Sequence, residues 1–350
     1  MKFGLDTSKW PFDSESKSVK TGARFVYVSN ASALKVLLYL AVFLAPLGVR
    51  PALAQDPNAI VIVNYYDPNP STGVLGNFSG GITLGEASHF SLLALNGGID
   101  DSGPTGPDAN PDTVNGDVGV ASSGQKFSAS GSVTYGGQVY IHSGSTYQSS
   151  APGVPPPTTG PTVDTMLENA RQDALNASSN ATTLGQNPTA SYGTITDNFS
   201  IVESTPGDYV FDITGINFSG GKVLTLSAPS GSSFLLNISQ QLVLTPGSIL
   251  VSGGLSAGNV LLNYTGTNDV RFSGGGNASE VDGTILAPNA GVDLSPGVVV
   301  GSVLANSIQM SSGANVIPEP GTNALLCLGA GLAAAGAATQ RRKASPRSKL

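Results

Sequence analysis

Few residues in this sequence could do chemistry. There are two histidines, His89 and His142, one cysteine, Cys327, and a thin scatter of carboxylates along 350 residues. The loop "PDANPDTVNGD" gathers Asp108, Asn110, Asp112, Asn115 and Asp117, hard oxygen donors of the kind calcium takes. Its spacing departs from an EF-hand, because Thr113 stands where the turn glycine belongs and Gly119 where the bidentate glutamate belongs. Asp108, Asn110, Asp112 and Asp117 are therefore the calcium candidate, with a solvated turn as the competing reading. The two histidines are far apart and no cysteine lies between them, so a zinc site is not expected and each reads as a surface or turn residue. Glycoside chemistry needs paired carboxylates. The set on offer, Asp269, Glu280 and Asp282 with Arg271 near, is sparse and sits in turns such as "SGGGNASEVDG". No G-x-S-x-G elbow is present. The expectation is a chain with no catalytic residue and no cofactor.

The elements that would position these groups are short strands. "SHFSLLALNGGI" is an apolar run bounded by glycine, and "FSASGSVTYGGQVYIHSGSTYQ" alternates with the period of two of half-buried strands. "AIVIVNYYDPN" reads as a short opening strand, and "APGVPPPTTGP" is a proline-rich break. One helix follows. "TVDTMLENARQDALNASSNATTL" places Val163, Met166, Leu167, Ala170, Ala174 and Ala177 on one face, with Thr162 as the expected N-cap and Asp164 and Glu168 near the positive end of the dipole. Its alanine stripe predicts close packing on a flat surface. From there to Val316, apolar triplets to quintets ("VLTL", "FLLNI", "LVL", "ILV", "VLLNY", "VRF", "TILA", "VVV") recur between Gly, Ser, Asn, Asp and Pro turns. Strands this short suit a solenoid with coils of about twenty residues, each stacked on the last. An all-β sandwich, which short evenly spaced strands also fit, is the alternative.

Charge is distributed unevenly. Between Asp56 and Pro320 only Lys126, Arg171, Lys222 and Arg271 are basic against twenty acidic residues, a net charge of −16. Repulsion from phosphate makes nucleic acid an improbable partner. The remaining basic residues lie in the two ends, which read as addresses. At the front, an apolar stretch from Val36 to Val49 precedes Ala52 and Ala54, the layout of a secretory signal over residues 1–54 cleaved after Ala54. An uncleaved anchor is the other reading, although the stretch falls short of the ~20 residues a spanning helix needs. The exported body then holds no cysteine, so disulfides cannot stabilise it. At the back, Pro318-Glu319-Pro320 is followed by small apolar residues 324–338 and by the basic cluster Arg341, Arg342 and Lys343, which would stay cytoplasmic. A plain C-terminal anchor is the alternative there.

Two resemblances follow from these residues. "SHFSLLALNGGI", "TVNGDVGVASSG", the alanine-striped helix and "VDGTILAPNAGVDLSPGVVVGSVLANSIQMSSG" together resemble the choice-of-anchor A domain and related ice-binding-like domains of secreted bacterial proteins. That resemblance implies a right-handed, discontinuous β-helix flanked by one long helix, divided here into 55–160 (with the proline-rich loop) and 161–316. Separately, "IPEPGTNALLCLGAGLAAAGAATQRRK" is similar to the PEP-CTERM sorting signal, over 317–350. It implies processing by an exosortase-type membrane protease in Gram-negative bacteria that make extracellular polysaccharide. The basic tail runs on through Arg347 and Lys349, longer than that pattern leads one to expect.

The expected protein is an exported, non-enzymatic surface or matrix element, structural or adhesive, with exopolysaccharide as a candidate partner. Ice binding by a flat solenoid face is the rival, although the threonines at 225, 245, 265 and 284 stand singly. A polysaccharide-active β-helix enzyme is the lesser one. Eight Asn-x-Ser/Thr sequons, at Asn77, Asn176, Asn180, Asn198, Asn217, Asn237, Asn263 and Asn277, reflect a composition rich in asparagine and serine.

Overall fold

A computed structural model describes residues 82–106, 110–274 and 279–318. The expected opening strand at 59–69, the signal segment and the C-terminal segment lie outside them. Nine short strands come first: β1 (Phe90–Ala94), β2 (Ile99–Ser102), β3 (Asp112–Val114), β4 (Asp117–Val120), β5 (Lys126–Ser130), β6 (Val133–Tyr135), β7 (Val139–Ile141), β8 (Thr146–Ser149) and β9 (Pro157–Thr158). The helix α1 (Pro161–Leu184) follows. Then come β10 (Ala190–Ile195), β11 (Phe199–Val202), β12 (Asp208–Ser227), β13 (Ser233–Ser252), β14 (Val260–Tyr264), β15 (Val270–Ser273), β16 (Ser279–Asp282), β17 (Thr284–Ser295), β18 (Gly297–Val300), β19 (Val303–Ser311) and β20 (Asn315–Ile317). Several apolar runs that read as separate strands are joined: "VLTL" ends β12, and "FLLNI", "LVL" and "ILV" are consecutive parts of β13. Each of these two strands has 20 residues, and their pairing shifts register at two points and resumes beyond each.

Every strand pairing among the described residues is parallel, which disfavours the sandwich. The pairings stack coil upon coil in three sheets. In one, Asp212, Asn237, Asn263 and Leu286 are successive partners, and the same row continues through Leu304, Leu93, Gly119 and Tyr140. The first coil of the chain sits in the middle of the stack, since β1 pairs with β19 on one side and β4 on the other. Coils from β1 to β9 grow outward in one direction. The coils from β10 onward begin at the far end and return to meet β1.

Helix α1 makes that return possible. Asp164 Oδ1 accepts the Ser143 amide (2.7 Å) beside β7, Asp173 Oδ2 accepts the Glu86 amide (2.9 Å) ahead of β1, and Ala181 O accepts Asn237 Nδ2 (2.9 Å) on β13. A helix of 24 residues is about 36 Å long, and the seven strand spacings from β7 to β12 come to about 34 Å. The length of the helix is thus matched to the coils it must pass. Leu167, Ala170, Ala174, Ala177 and Ala181 are buried against Leu93, Leu235, Leu261, Leu286 and Leu304 of the sheet, so the alanine stripe packs as its composition predicts. The N-cap differs from expectation. Gly160 caps the helix at a φ of 130° that threonine adopts only with strain, Pro161 opens the first turn, and Thr162 lies inside it.

Toward its C-terminal end the helix crosses polar rungs. Asn263 Oδ1 accepts Ser178 Oγ (2.6 Å) while its Nδ2 donates to Asn237 Oδ1 (2.8 Å). Both asparagines are buried, so the sequons at 237 and 263 offer no acceptor for a glycan in the folded protein. Asn263→Ala orphans Ser178 Oγ and Asn237 Oδ1. It is expected to cost about 1–3 kcal/mol, read by urea unfolding, whereas Asn176→Ala on the outer face should leave stability within about 0.5 kcal/mol.

Candidate functional site

The sequence candidates are dispersed. Asp108 lies outside the described residues. Asn110 is exposed ahead of β3, Asp112 is fully buried, and Asp117 sits on another sheet, where its Oδ1 accepts the Gln138 amide (2.8 Å). Burial pushes the Asp117 carboxyl up, opposed by the Gln138 amide and the nearby His89. Asp112 spends Oδ1 on the amides of Gly313 (2.5 Å) and Ala314 (2.9 Å). Among the described residues no three His, Cys, Asp or Glu side chains converge as a metal site would need. The carboxylates Asp269, Glu280 and Asp282 part in the same way. Asp269 and Arg271 face outward from the sheet of β15, Glu280 and Asp282 from the sheet of β16. Burial, with Asp282 beside it, pushes Glu280 up, and Asp282 Oδ2 accepts the Val251 amide (3.0 Å). His142 Nδ1 lies 2.7 Å from Ser143 O, a turn contact of the kind expected. His89 departs from expectation: its Nε2 is buried, has no hydrogen-bond partner among the described residues and stands 4.0 Å from Glu86.

What the coils do assemble is an outer surface on the sheet of β2, β5, β15 and the later halves of β17 and β19. Strand alternation sends Ile99, Phe127, Val292 and Ile308 inward and leaves polar residues outside. One outward row runs Arg271, Asp293, Gln309, Asp100, Ser128 and Gln148. The next is a row of hydroxyls. Ser219 pairs with Thr245, Ser273 follows the rung of Leu244 and Phe272, and Ser295, Ser311, Ser102 and Ser130 continue it. Ser295 and Ser311 hydroxyls touch across their strands at 2.7 Å, and Ser295 Oγ donates to Asp293 Oδ1 at 2.5 Å. Beside these rows lies an open groove of about 290 Å³, whose lining includes Gly98, Gly291, Ser307, Asp100, Asp293 and Gln309. Lys126 and Asp269 also line it. The arrangement offers donors and acceptors at every coil, about 4.8 Å apart, to a ligand lying along the stack. It has no deep pocket, nucleophile or convergent acid pair.

Residues 58–316 match the model of the ice-binding-like adhesive domain, three quarters of the chain. The chain belongs to that family. Residues 316–343 match the PEP-CTERM protein-sorting motif, which implies export through the membrane and exosortase processing. Solved structures similar to it include an ice-binding protein from the Antarctic ascomycete Antarctomyces psychrotrophicus (20% identity, 68% of this chain and 98% of that one, TM-score 0.43). Another is an ice-binding protein from an Arctic yeast (19% identity, 70% and 97%, TM-score 0.44), and a third an ice-binding domain from Shewanella frigidimarina (18%, 67% and 95%, TM-score 0.41). No curated protein matches the chain. The family is one of adhesive and ice-binding-like domains, not of enzymes.

Sequence reasoning missed the hydroxyl row. Its members are unevenly spaced along the chain, and the row crosses the chain's discontinuity between Ser311 and Ser102. Of the four threonines weighed singly, only Thr245 belongs to it, and Thr284 is buried.

Proposed function

We propose that this protein is an exported adhesive element of the cell surface or extracellular matrix of a Gram-negative bacterium, and that the groove beside Asp100, Asp293 and Gln309 holds a strand of exopolysaccharide. The coil is read here as a right-handed solenoid, the hand that parallel crossovers favour, and its kinship to choice-of-anchor A domains is part of the same proposal. The observation that carries the reading is the repetition of polar side chains at coil spacing along an open groove, which suits an extended polyhydroxyl chain and no compact ligand. The test uses residues 58–318 and exopolysaccharide purified from the producing cells. Asp293→Ala with Gln309→Ala is expected to weaken retention about tenfold, from two lost hydrogen bonds of about 0.5–1.5 kcal/mol each. Thr134→Ala on another sheet should leave it unchanged. Equal retention by both variants would sink the groove. Depolymerisation of the polysaccharide would establish catalysis instead.

The row from Ser219 to Ser130 favours a second reading, ice binding, because hydroxyls recur on seven adjacent strands. The charged row beside it, with Arg271, Asp293 and Asp100, weighs against an ice-like layer of water. If the body halts ice recrystallisation at micromolar concentration and Ser311→Tyr abolishes the effect, the ice reading displaces the glycan one.

A further inference from the structure

The interior of the stack is a column of large apolar side chains. On successive strands, Phe218, Leu244, Phe272, Leu294 and Met310 follow one another, and the next position is Asp101, then Ala129. An acid in that place is anomalous, since an isolated buried carboxylate is strongly disfavoured. Asp101 is 0% exposed, and so is Asp112. Asp101 Oδ2 accepts the Tyr135 hydroxyl (2.8 Å), and Asp112 Oδ1 is taken by the Gly313 and Ala314 amides. The other two oxygens, Asp101 Oδ1 and Asp112 Oδ2, have no donor among the described residues, and Asp112 is near enough to Asp101 to help push its carboxyl up. Two acceptor-only groups cannot satisfy each other, but a carboxylic acid and a carboxylate can.

We propose that Asp101 and Asp112 bind one shared proton, and that this site closes the seam between the first coil of the chain and the last. Asp101 lies on β2 and Asp112 on β3, while Gly313 and Ala314 lead into β20, which ends at the sorting motif. The remaining titratable neighbours are Tyr135 on β6, Asp100 beside Asp101, and Tyr147 on β8, with no cation among them. Burial is the main cause that pushes Asp101 from 3.8 to about 8, and Asp112 adds to it, opposed by the Tyr135 hydrogen bond. Because the folded value lies above the unfolded one, the folded state retains a proton that the unfolded chain gives up. The contribution is complete below about pH 4, falls as pH rises and is gone above about 8, at up to tenfold in the folding constant per pH unit.

The test compares the unfolding of the exported body and of its Asp101→Asn variant at about pH 5.5 and about pH 8. The asparagine amide can donate to Asp112 Oδ2 and its carbonyl can accept from Tyr135, as the protonated acid does. The ratio of folding constants, variant to native, should rise at least about tenfold between the two pH values. That ratio removes the contributions of Asp117 and Glu280, which titrate in the same direction. A ratio that does not move with pH overturns the proposal. So does a native body at pH 8 that millimolar calcium stabilises and a chelator weakens, because the pair would then hold a metal. If Asp101→Asn does not fold, Tyr135→Phe decides. Removing the hydrogen bond that favours ionised Asp101 should carry the alkaline loss of native stability to higher pH, and an unchanged profile refutes the shared proton.

Discussion

Phe272→Ala should lower the stability of the exported body by about 3–5 kcal/mol. Phe272 is 0% exposed on β15, between Leu244 and Leu294 in the interior column. The corner beside it is closed by Gly297, where an added Cβ would stand 2.9 Å from Phe272 Cβ, so backbone is already packed onto this side chain. A rigid corner cannot collapse into the space the ring leaves, which places the loss toward the upper part of the range for a Phe→Ala truncation. For a body of this size the midpoint of thermal unfolding should fall by roughly 6–20 °C, followed by circular dichroism. Each coil touches its neighbours, so the damage should be felt first on the outer surface of the same strand, where Arg271 and Ser273 flank the ring. A loss under about 1.5 kcal/mol would show that this column is loosely filled. Phe272→Leu, which retains most of the volume, should recover more than half of the loss.

How far the sequence foretold this architecture depends on the kind of pattern. The helix was legible because one face repeats at fixed spacing, from Leu167 through Ala170, Ala174 and Ala177, and those residues are buried as expected. The strands were legible as apolar runs, but not their lengths. β12 and β13 resume pairing after each corner at small residues such as Gly215 and Gly247, which composition alone marks as turns. Register was illegible because coil length varies. The step from Asn237 to Asn263 and the step from Leu286 to Leu304 differ by eight residues, so no fixed period reveals which side chains stack. The discontinuity is further out of reach, since β1 meets β19 across two hundred residues of chain.

The acid pair teaches the opposite lesson, because a signal was present. In "GIDDS", Asp101 has the parity of Ile99, which points inward. The loop reading gave weight to the oxygen donors after Gly106 and none to that alternation. Asp112, a calcium candidate by its sequence context, is buried with its Oδ1 on two backbone amides, and its proposed partner is a second acid.

Replacing Arg341, Arg342 and Lys343 with glutamate should abolish processing of the C-terminal segment, and alanines should reduce it. The apolar stretch 324–338 has fifteen residues, about 22 Å as a helix against a hydrocarbon core of about 30 Å, so hydrophobicity alone holds it poorly. In the proposed sorting reading the basic cluster supplies the rest. Cations resist transfer across the membrane, and near an anionic cytoplasmic leaflet each contributes about 1 kcal/mol. Reversing three of them changes the sign of that term and lets the tail slip through, carrying Pro318-Glu319-Pro320 away from a membrane protease at the outer face. The fold constrains the motif from the other side. β20 ends at Ile317, which pairs with Val300, so the last coil leaves no spacer before Pro318. A protease must therefore work against the folded body, and lengthening that junction with a few Gly-Ser residues should leave processing intact or faster. Cells expressing copies tagged within the body and at the C-terminus report both effects. In the native protein the surface fraction should keep the internal tag and lose the terminal one, while the glutamate variant should retain both in the membrane fraction. A terminal tag that persists on mature native protein would mean that the segment is an anchor and is never cut.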